Sequence, residues 1–358
     1  MHVLHLLYEP ARSGISRHVL GVVRLLPELR HGVIYPARLT GLAEELAAAG
    51  AEPWPVAMSN KALPRATWRA LPRLVRRLRP DVLHLHALEA GFFGSLVARA
   101  AGQRGVVFTP QTIDIRQRYL LPAYRSALRA AARPGLLWLA VSEGQVEGLR
   151  RLAGQAEVRC VPNWAPERPP LPPRAEARAR LGWDPEAFVV AQLSRLSAQK
   201  DPLTFVRAAA LDRGGRWKLC GEGPQRGEVE AAARGIDALQ VCGQVDDQDV
   251  FAAADVITLA SLWEGLSFAL LGAMQAGRVV VASRIPGNTD LVAHEVSGLL
   301  VEPSDPVGLQ AAVGRLRDDP ELAARLAAAG RARIEARYSA AVVAERLRAV
   351  YREASASV

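Results

Sequence analysis

Aromatic residues make up only 6% of this 358-residue chain, and it holds just three cysteines. Cys160, Cys220 and Cys242 stand singly, without the paired spacing of a zinc site or the density of a disulfide framework. A stapled secreted module is excluded, and a reduced, cytoplasmic setting is the simplest expectation. No apolar run approaches the ~20 residues that span a bilayer. Any membrane contact is then expected to be peripheral. The opening MHVLHLLYEP has no basic leader and reads as a buried strand, not a signal peptide. A Walker A loop and a nucleophile elbow are both missing. Metal-ligand spacing is missing too, so no metal is expected. The one acidic cluster, Asp246, Asp247 and Asp249, precedes an apolar helical run and reads as capping and charge complementarity at a helix start.

Half the residues are hydrophobic, and Lys plus Arg exceed Asp plus Glu by 45 to 36, a net charge of +9. That balance favours anionic partners: phosphates, an acidic membrane surface or nucleic acid. No nucleic-acid-binding pattern accompanies it, so nucleic acid is not expected as a partner.

Short apolar runs alternate with longer amphipathic stretches. In the first half the strand candidates are 2–8, 32–36, 81–86, 105–110 and 136–142. A Pro-rich stretch, VPNWAPERPPLPPR (161–174), interrupts the pattern and reads as a linker. The alternation restarts at 187–194, 216–223, 239–245, 255–261, 278–283 and 298–303. Runs that are apolar throughout suit parallel strands covered on both faces. The expected fold is α/β, with two doubly wound Rossmann-like lobes facing across a cleft. One lobe spans 1–163 and is joined by a C-terminal helix at 340–358; the other spans 164–339.

Four strand-to-helix loops carry candidate chemistry. In SLWEGLSFALLGAMQAG (261–277), Glu264 and Gly265 precede a helix start, whose unpaired amides and partial positive charge suit a diphosphate. A plain turn capped by Ser267 is the bland alternative. In SRLSAQKDP (194–202), Arg195 and Lys200 are two cations able to hold a diphosphate; solvated surface charges are the bland alternative. GEGPQRGEVEAA (221–232) places Gly221 and Gly223 around Glu222 at a helix entrance. At the first loop, YEPARSGISRHVL (8–20), Gly14 gives backbone freedom and His18 reads as structural.

These pieces, in this order and covering nearly the whole chain, resemble the retaining glycosyltransferases of the GT-B fold, family 4 (group 1). The matching pieces include DVLHLH, VVFTP, AVSE, VPN, SRLSAQKDP, GEGP, EGLSFALLGAMQAG and SGLLVEP. The resemblance implies transfer of a hexose from a nucleoside-diphosphate sugar to a hydroxyl acceptor, with no metal and no further cofactor. The second lobe would carry the donor and the first the acceptor. Arg195 and Lys200 match the diphosphate cations. Glu264 matches the glutamate at the donor sugar, and the amides of Leu266, Ser267 and Phe268 match the backbone cradle. Gly223 belongs to the glycine turn of the donor site, and Gly14 lies in the loop that faces the diphosphate.

Two positions depart from the family pattern. The second glutamate, which holds the nucleotide ribose, is Gly272 here. The histidine of the TPH tripeptide, near the reaction centre, is Gln111, which hydrogen-bonds but does not titrate. These changes motivate an alternative: a relative that binds a nucleotide sugar or a partner without turnover. A nucleotide-sugar epimerase of similar fold is a third reading. The acceptor is unread; the basic stretches 63–80, with Trp68, and 114–133 favour a lipid-linked or cell-envelope glycan at an anionic inner membrane face. A solvated helix face is the bland reading of the same arginines.

Overall fold

The computed structural model describes residues 1–9, 14–58, 64–111, 136–154 and 156–356. The chain forms two compact units, one of residues 1–163 with 340–358 and one of residues 164–339. Each is built on one parallel sheet flanked by helices, so both are Rossmann-like lobes.

The sheet of the first unit contains β1 (His2–Leu7), β2 (Arg30–Pro36), β3 (Ala51–Val56), β4 (Val82–His86), β5 (Val106–Thr109), β6 (Leu136–Ala140) and β7 (Glu157–Cys160). Their spatial order is β3-β2-β1-β4-β5-β6-β7, so the winding reverses between β1 and β4. In doubly wound sheets ligands bind outside the strand carboxyl ends at such a reversal. β1, β4, β5 and β6 are buried along their whole length, as strands covered on both faces are, with histidines interrupting the apolar residues of β1 and β4. The sequence reading missed β3 and β7, and both are edge strands. β3, AEPWPV, carries Pro53 and Pro55, which an edge tolerates because one side needs no ladder. β7, EVRC, alternates exposed and inward residues. The last helix, Ala340–Ala356, packs on this unit, and its buried Tyr351 reaches His84 of β4.

The second sheet contains β8 (Val189–Leu193), β9 (Arg216–Cys220), β10 (Leu239–Gly243), β11 (Val256–Leu259), β12 (Val279–Ser283) and β13 (Leu299–Val301). Its order is β10-β9-β8-β11-β12-β13, with the reversal between β8 and β11. Trp217, Leu219, Val190, Val256, Val279 and Val281 build one core face with Phe205 and Leu309 from the covering helices. Arg178, almost fully buried, bonds Asp255 and the carbonyls of Ala253, Asp184 and Pro185, tying the helix Arg174–Leu181 to the sheet.

The arginines of 63–80 lie on the helix Arg65–Leu78 and beyond it. Arg69, Arg73, Arg76, Arg77 and Arg79 are exposed, whereas Leu71 and Val75 enter the core and Trp68 packs edge-on against Phe93. Trp68 is thus half-buried and supports the core. The run 114–133 lies outside the described residues. Among the described residues no helix is long and apolar enough to cross a membrane.

Candidate active site

In residues 164–339 the loops after β8, β9, β11 and β12 interlock at the strand carboxyl ends. The loop after β8 contains the single helical turn Ala198–Lys200, followed by the helix Pro202–Leu211, capped by Asp201 through the Thr204 amide. The Leu196 amide donates to the Glu222 carbonyl at 2.9 Å, and the Gln225 amide returns to the Leu196 carbonyl at 3.0 Å. The two loops touch so closely that a Cβ on Gly223 would lie 2.2 Å from the Leu196 oxygen. Only glycine permits that approach. Gly287, with φ of 86°, fills the same role after β12: a Cβ there would meet the Gly265 oxygen at 2.2 Å.

Lys200 and Glu264 meet at this end of the sheet, on either side of the β8–β11 reversal. The Lys200 ammonium donates to Glu264 Oε1. Ser261 Oγ donates to the same oxygen at 2.7 Å. Gln199 Nε2 donates to the Trp263 carbonyl at 3.0 Å, and the Leu262 amide to the Gln199 carbonyl at 2.8 Å, so the two loops are stitched by side chain and backbone together. The Glu264 carboxylate is 6% exposed and Lys200 18%, a fixed pair beside a reversal, not a solvated surface contact. Arg195, on the same loop, is exposed and forms no ion pair with any described residue.

The helix Phe268–Gln275 follows the Glu264 turn. Ser267 is its cap, its side chain accepting from the Leu270 amide at 3.4 Å. Leu266 and Ser267 are buried, while Phe268 is half-buried with its ring edge-on to Trp164. The first-turn amides of this helix have no intrahelical acceptor, so an anion would find donors there. Gly272 lies one turn further on. A Cβ there would meet the Phe251 ring at 2.9 Å and the Arg168 guanidinium at 3.3 Å. Arg168 is held by both oxygens of Asp247, at 2.6 and 2.8 Å, and lies over the Phe251 ring. The space a longer side chain at 272 would need is thus filled. The acidic cluster divides its work: Asp246 caps its helix, Asp247 binds Arg168, and Asp249 binds Arg180.

In the first unit Gly14 opens the helix Gly14–Leu25, with free space where a Cβ would stand; residues 10–13 of its loop lie outside the described residues. Gln111 follows β5 with φ of 66°, and its carbonyl accepts from Gln145 Nε2 at 3.0 Å. Its own buried Nε2 finds no acceptor among the described residues. A buried donor left unpaired is costly, which marks a place for a ligand acceptor or a water.

Sequence reasoning missed a ladder of buried histidines beside the β1–β4 reversal. His5, His84 and His86 share one sheet face, with ring nitrogens within 4.8 Å of one another. His31 Nε2 bonds the Leu26 carbonyl at 2.9 Å, His31 Nδ1 meets His5 Nε2 at 3.1 Å, and His5 Nδ1 meets His86 Nε2 at 3.0 Å. A carbonyl only accepts, so neutral rings have one arrangement: His31 Nε2, His5 Nε2 and His86 Nε2 all donate. His86 Nδ1 is left as an acceptor with no partner among the described residues. His84 bonds Tyr351 and Thr109, at 2.8 and 2.7 Å. These bonds already engage both nitrogens of His5 and His84, so hydrogen bonding explains the grouping without a metal. Burial holds His5, His84 and His86 well below the usual imidazole value and takes His18 down to about 4. His18 is buried and bonds Asn163 at 3.0 Å, a structural role. The spacing HxH in a strand puts both rings on one face, a signal visible in DVLHLH.

Two family models match the chain: "Glycosyltransferase Family 4" over residues 12–166 and "Glycosyl transferases group 1" over 187–319. The chain belongs to the group 1 glycosyltransferases. The lipopolysaccharide core biosynthesis glycosyltransferase LpsD of Rhizobium meliloti is 27% identical over 276 residues, 76% of this chain and 75% of that protein. An Escherichia coli UDP-Gal:α-D-GlcNAc-diphosphoundecaprenol α-1,3-galactosyltransferase is 25% identical over 71% of this chain and 70% of its own. Among solved structures, Anabaena HepE in complex with UDP-glucose superposes with a TM-score of 0.82 at 19% identity, covering 98% of each chain. The glycosyltransferase fold is therefore GT-B.

Proposed function

We propose that this glycosyltransferase moves a hexose from a nucleoside-diphosphate sugar to a hydroxyl of a lipid-linked or cell-envelope glycan, retaining the anomeric configuration and using no metal. The carrying observation is the Lys200–Glu264 pair, clamped by Ser261 at the β8–β11 reversal beside the start of the helix Phe268–Gln275. Breaking the glycosidic bond leaves negative charge on the diphosphate. Lys200, the exposed Arg195 and the amides of Leu266, Ser267 and Phe268 stabilise that charge as it develops. Glu264, already fixed by Lys200 and Ser261, receives sugar hydroxyls. The close-packed Gly223 turn forms the wall of the donor site; in the first unit, taken by itself, Gln111 offers an unpaired amide donor. The names of the relatives support the donor and acceptor classes: one acts on a diphosphoundecaprenol-linked sugar, another in lipopolysaccharide core synthesis, and HepE is bound to UDP-glucose. An anionic membrane surface at the cytoplasmic face would bring such an acceptor to a chain of charge +9.

Gly272 favours one second reading, nucleotide-sugar binding without turnover, because Phe251 and Arg168 occupy the space beside it. A screen of nucleoside diphosphates by thermal shift, followed by transfer and donor-hydrolysis assays with the binders, separates the two. Nucleotide binding with product formation supports the transferase. Binding without any turnover establishes the second reading, and no binding at all rejects both.

A further inference from the structure

Cys220 and Cys242, 22 positions apart in sequence, are brought together on neighbouring strands β9 and β10. The ladder pairs Val241 with Leu219 and then Gly243 with Cys220, so a bulge sets two residues, Cys242 and Gly243, opposite the single residue Cys220. Each thiol donates to a carbonyl of its own strand, Cys220 to Lys218 at 3.9 Å and Cys242 to Gln240 at 3.8 Å. Neighbouring strands run about 4.8 Å apart, inside the ~4.4–6.8 Å Cα range that a disulfide bridges. The two cysteines differ in access: Cys220 is fully buried and Cys242 half-buried. Lys218 and Gln240 share their face, with Lys218 Nζ donating to Gln240 Oε1 at 2.8 Å and lying 5.7 Å from the Trp183 ring centre. The neighbouring Cys220 thiol and the charge of Lys218 pull the Cys242 thiol below its usual value, while the nearness of Cys242 and burial push the Cys220 thiol well above it.

An accessible, thiolate-prone cysteine next to a cation and a buried thiol is the arrangement of a peroxide-reactive thiol with its resolving partner. We propose that Cys242 and Cys220 form a reversible oxidation site, in which Cys242 reacts with a hydroperoxide and Cys220 closes the disulfide. The Cys242 thiolate attacks one peroxide oxygen; the S–O bond forms, the O–O bond breaks, and the leaving hydroxide takes a proton to become water. The Cys220 sulfur, giving up its proton, attacks the Cys242 sulfenic acid. The S–S bond forms, the S–O bond breaks, and the second oxygen leaves as water. Two thiols and one hydrogen peroxide become one disulfide and two waters. The pair lies at the base of the glycine turn, since the Gly221 amide donates to the Gly243 carbonyl at 2.6 Å directly beyond the two cysteines.

The test treats the full reduced chain with equimolar to tenfold hydrogen peroxide, followed by alkylation and peptide mapping. Thiols should fall from three to one, with the 220 and 242 peptides linked, Cys160 unlinked, and all three recovered by dithiothreitol. Cys242 should react at least about tenfold faster than Cys160. In Cys220→Ala, dimedone should trap Cys242 as the sulfenic acid. Three intact thiols after tenfold peroxide, linkage through Cys160, or a persistent sulfenic acid on Cys242 of the unaltered chain would each overturn the assignment. The map of the unaltered chain decides the matter even if the variant does not fold.

Discussion

Lys200 and Glu264, 64 positions apart in sequence, are bound to each other across the two strand ends where the winding of residues 164–339 reverses. The pair is mostly shielded from water, so it is worth more than a surface contact and costs more to break. Lys200→Ala leaves the nearly buried Glu264 carboxylate with Ser261 as its main donor. Urea unfolding should show a loss of about 3 kcal/mol. If the pair also serves the diphosphate, turnover should fall by about 10²–10³. Glu264→Gln, which keeps a polar group against Ser261, should cost less stability but similar turnover. Equal activity in Lys200→Ala and the unaltered chain would remove Lys200 from the donor site.

Gly272 tests whether the missing carboxylate can be restored. Replacing a helical glycine with alanine ordinarily gains about 1 kcal/mol. Here the new Cβ would press on the Phe251 ring and on Arg168, and overpacking costs about 1–3 kcal/mol. Gly272→Ala should therefore lower the melting temperature or leave it flat, not raise it. Gly272→Glu should be worse, with no gain in nucleotide affinity by calorimetry. A tighter-binding, more stable Gly272→Glu would show that Arg168 yields readily and that the space is open.

The two sheets were legible in the sequence because their central strands are buried on both faces and so run apolar without a break, as VITL (256–259) and VVVAS (279–283) do. β3 was not, because Pro53 and Pro55 argue against a strand unless its edge position is known, and that position is a tertiary fact. The loops after β8 and β11 were legible as candidates; that Lys200 would close on Glu264 was not, since nothing in either segment states their separation. The histidine ladder was half legible. His84 and His86 alternate along one strand, but His5 and His31 join them only through the register of β1 with β4 and β2. The cysteine pair depends in the same way on the β9–β10 register and its bulge, so single spacing concealed it.

Gly223→Ala addresses the interlocked loops. No rotamer change relieves a Cβ 2.2 Å from the Leu196 carbonyl, because the backbone alone fixes the positions of both atoms. The loops must separate, breaking the bonds from Leu196 to Glu222 and from Gln225 to Leu196. Unfolding free energy should drop by about 1–3 kcal/mol, and nucleotide affinity should drop with it if this turn walls the donor site. Gly227→Ala, in the helix Arg226–Ala232 where a Cβ meets nothing, is the matched control: it should hold stability or raise it by up to about 1 kcal/mol and leave nucleotide affinity unchanged.

The histidine ladder sets how the first unit responds to acid. Burial lowers His5, His84, His86 and His18 below the ordinary 6.5, His18 to about 4. All four are neutral when folded at neutral pH. Below about pH 6.5 the unfolded chain takes up protons that the folded chain refuses, so the unfolded state binds more protons and stability falls as pH falls. The contribution is complete above about 6.5 and, for His18, is lost between there and about 4. Each such group adds a slope of up to about 1.4 kcal/mol per pH unit within its window. Urea midpoints measured from pH 7.5 to 4.5 should therefore decline, with much of the slope removed in His5→Phe or His86→Leu if either folds. Tyr351→Phe removes one bond to His84 and leaves every ring in place, so it should lower the whole curve by about 1 kcal/mol without changing its slope. A flat profile in the unaltered chain would mean that the folded imidazoles take up protons as readily as the unfolded ones, and the all-neutral tautomer order ending at His86 Nδ1 would not persist below about pH 6.5.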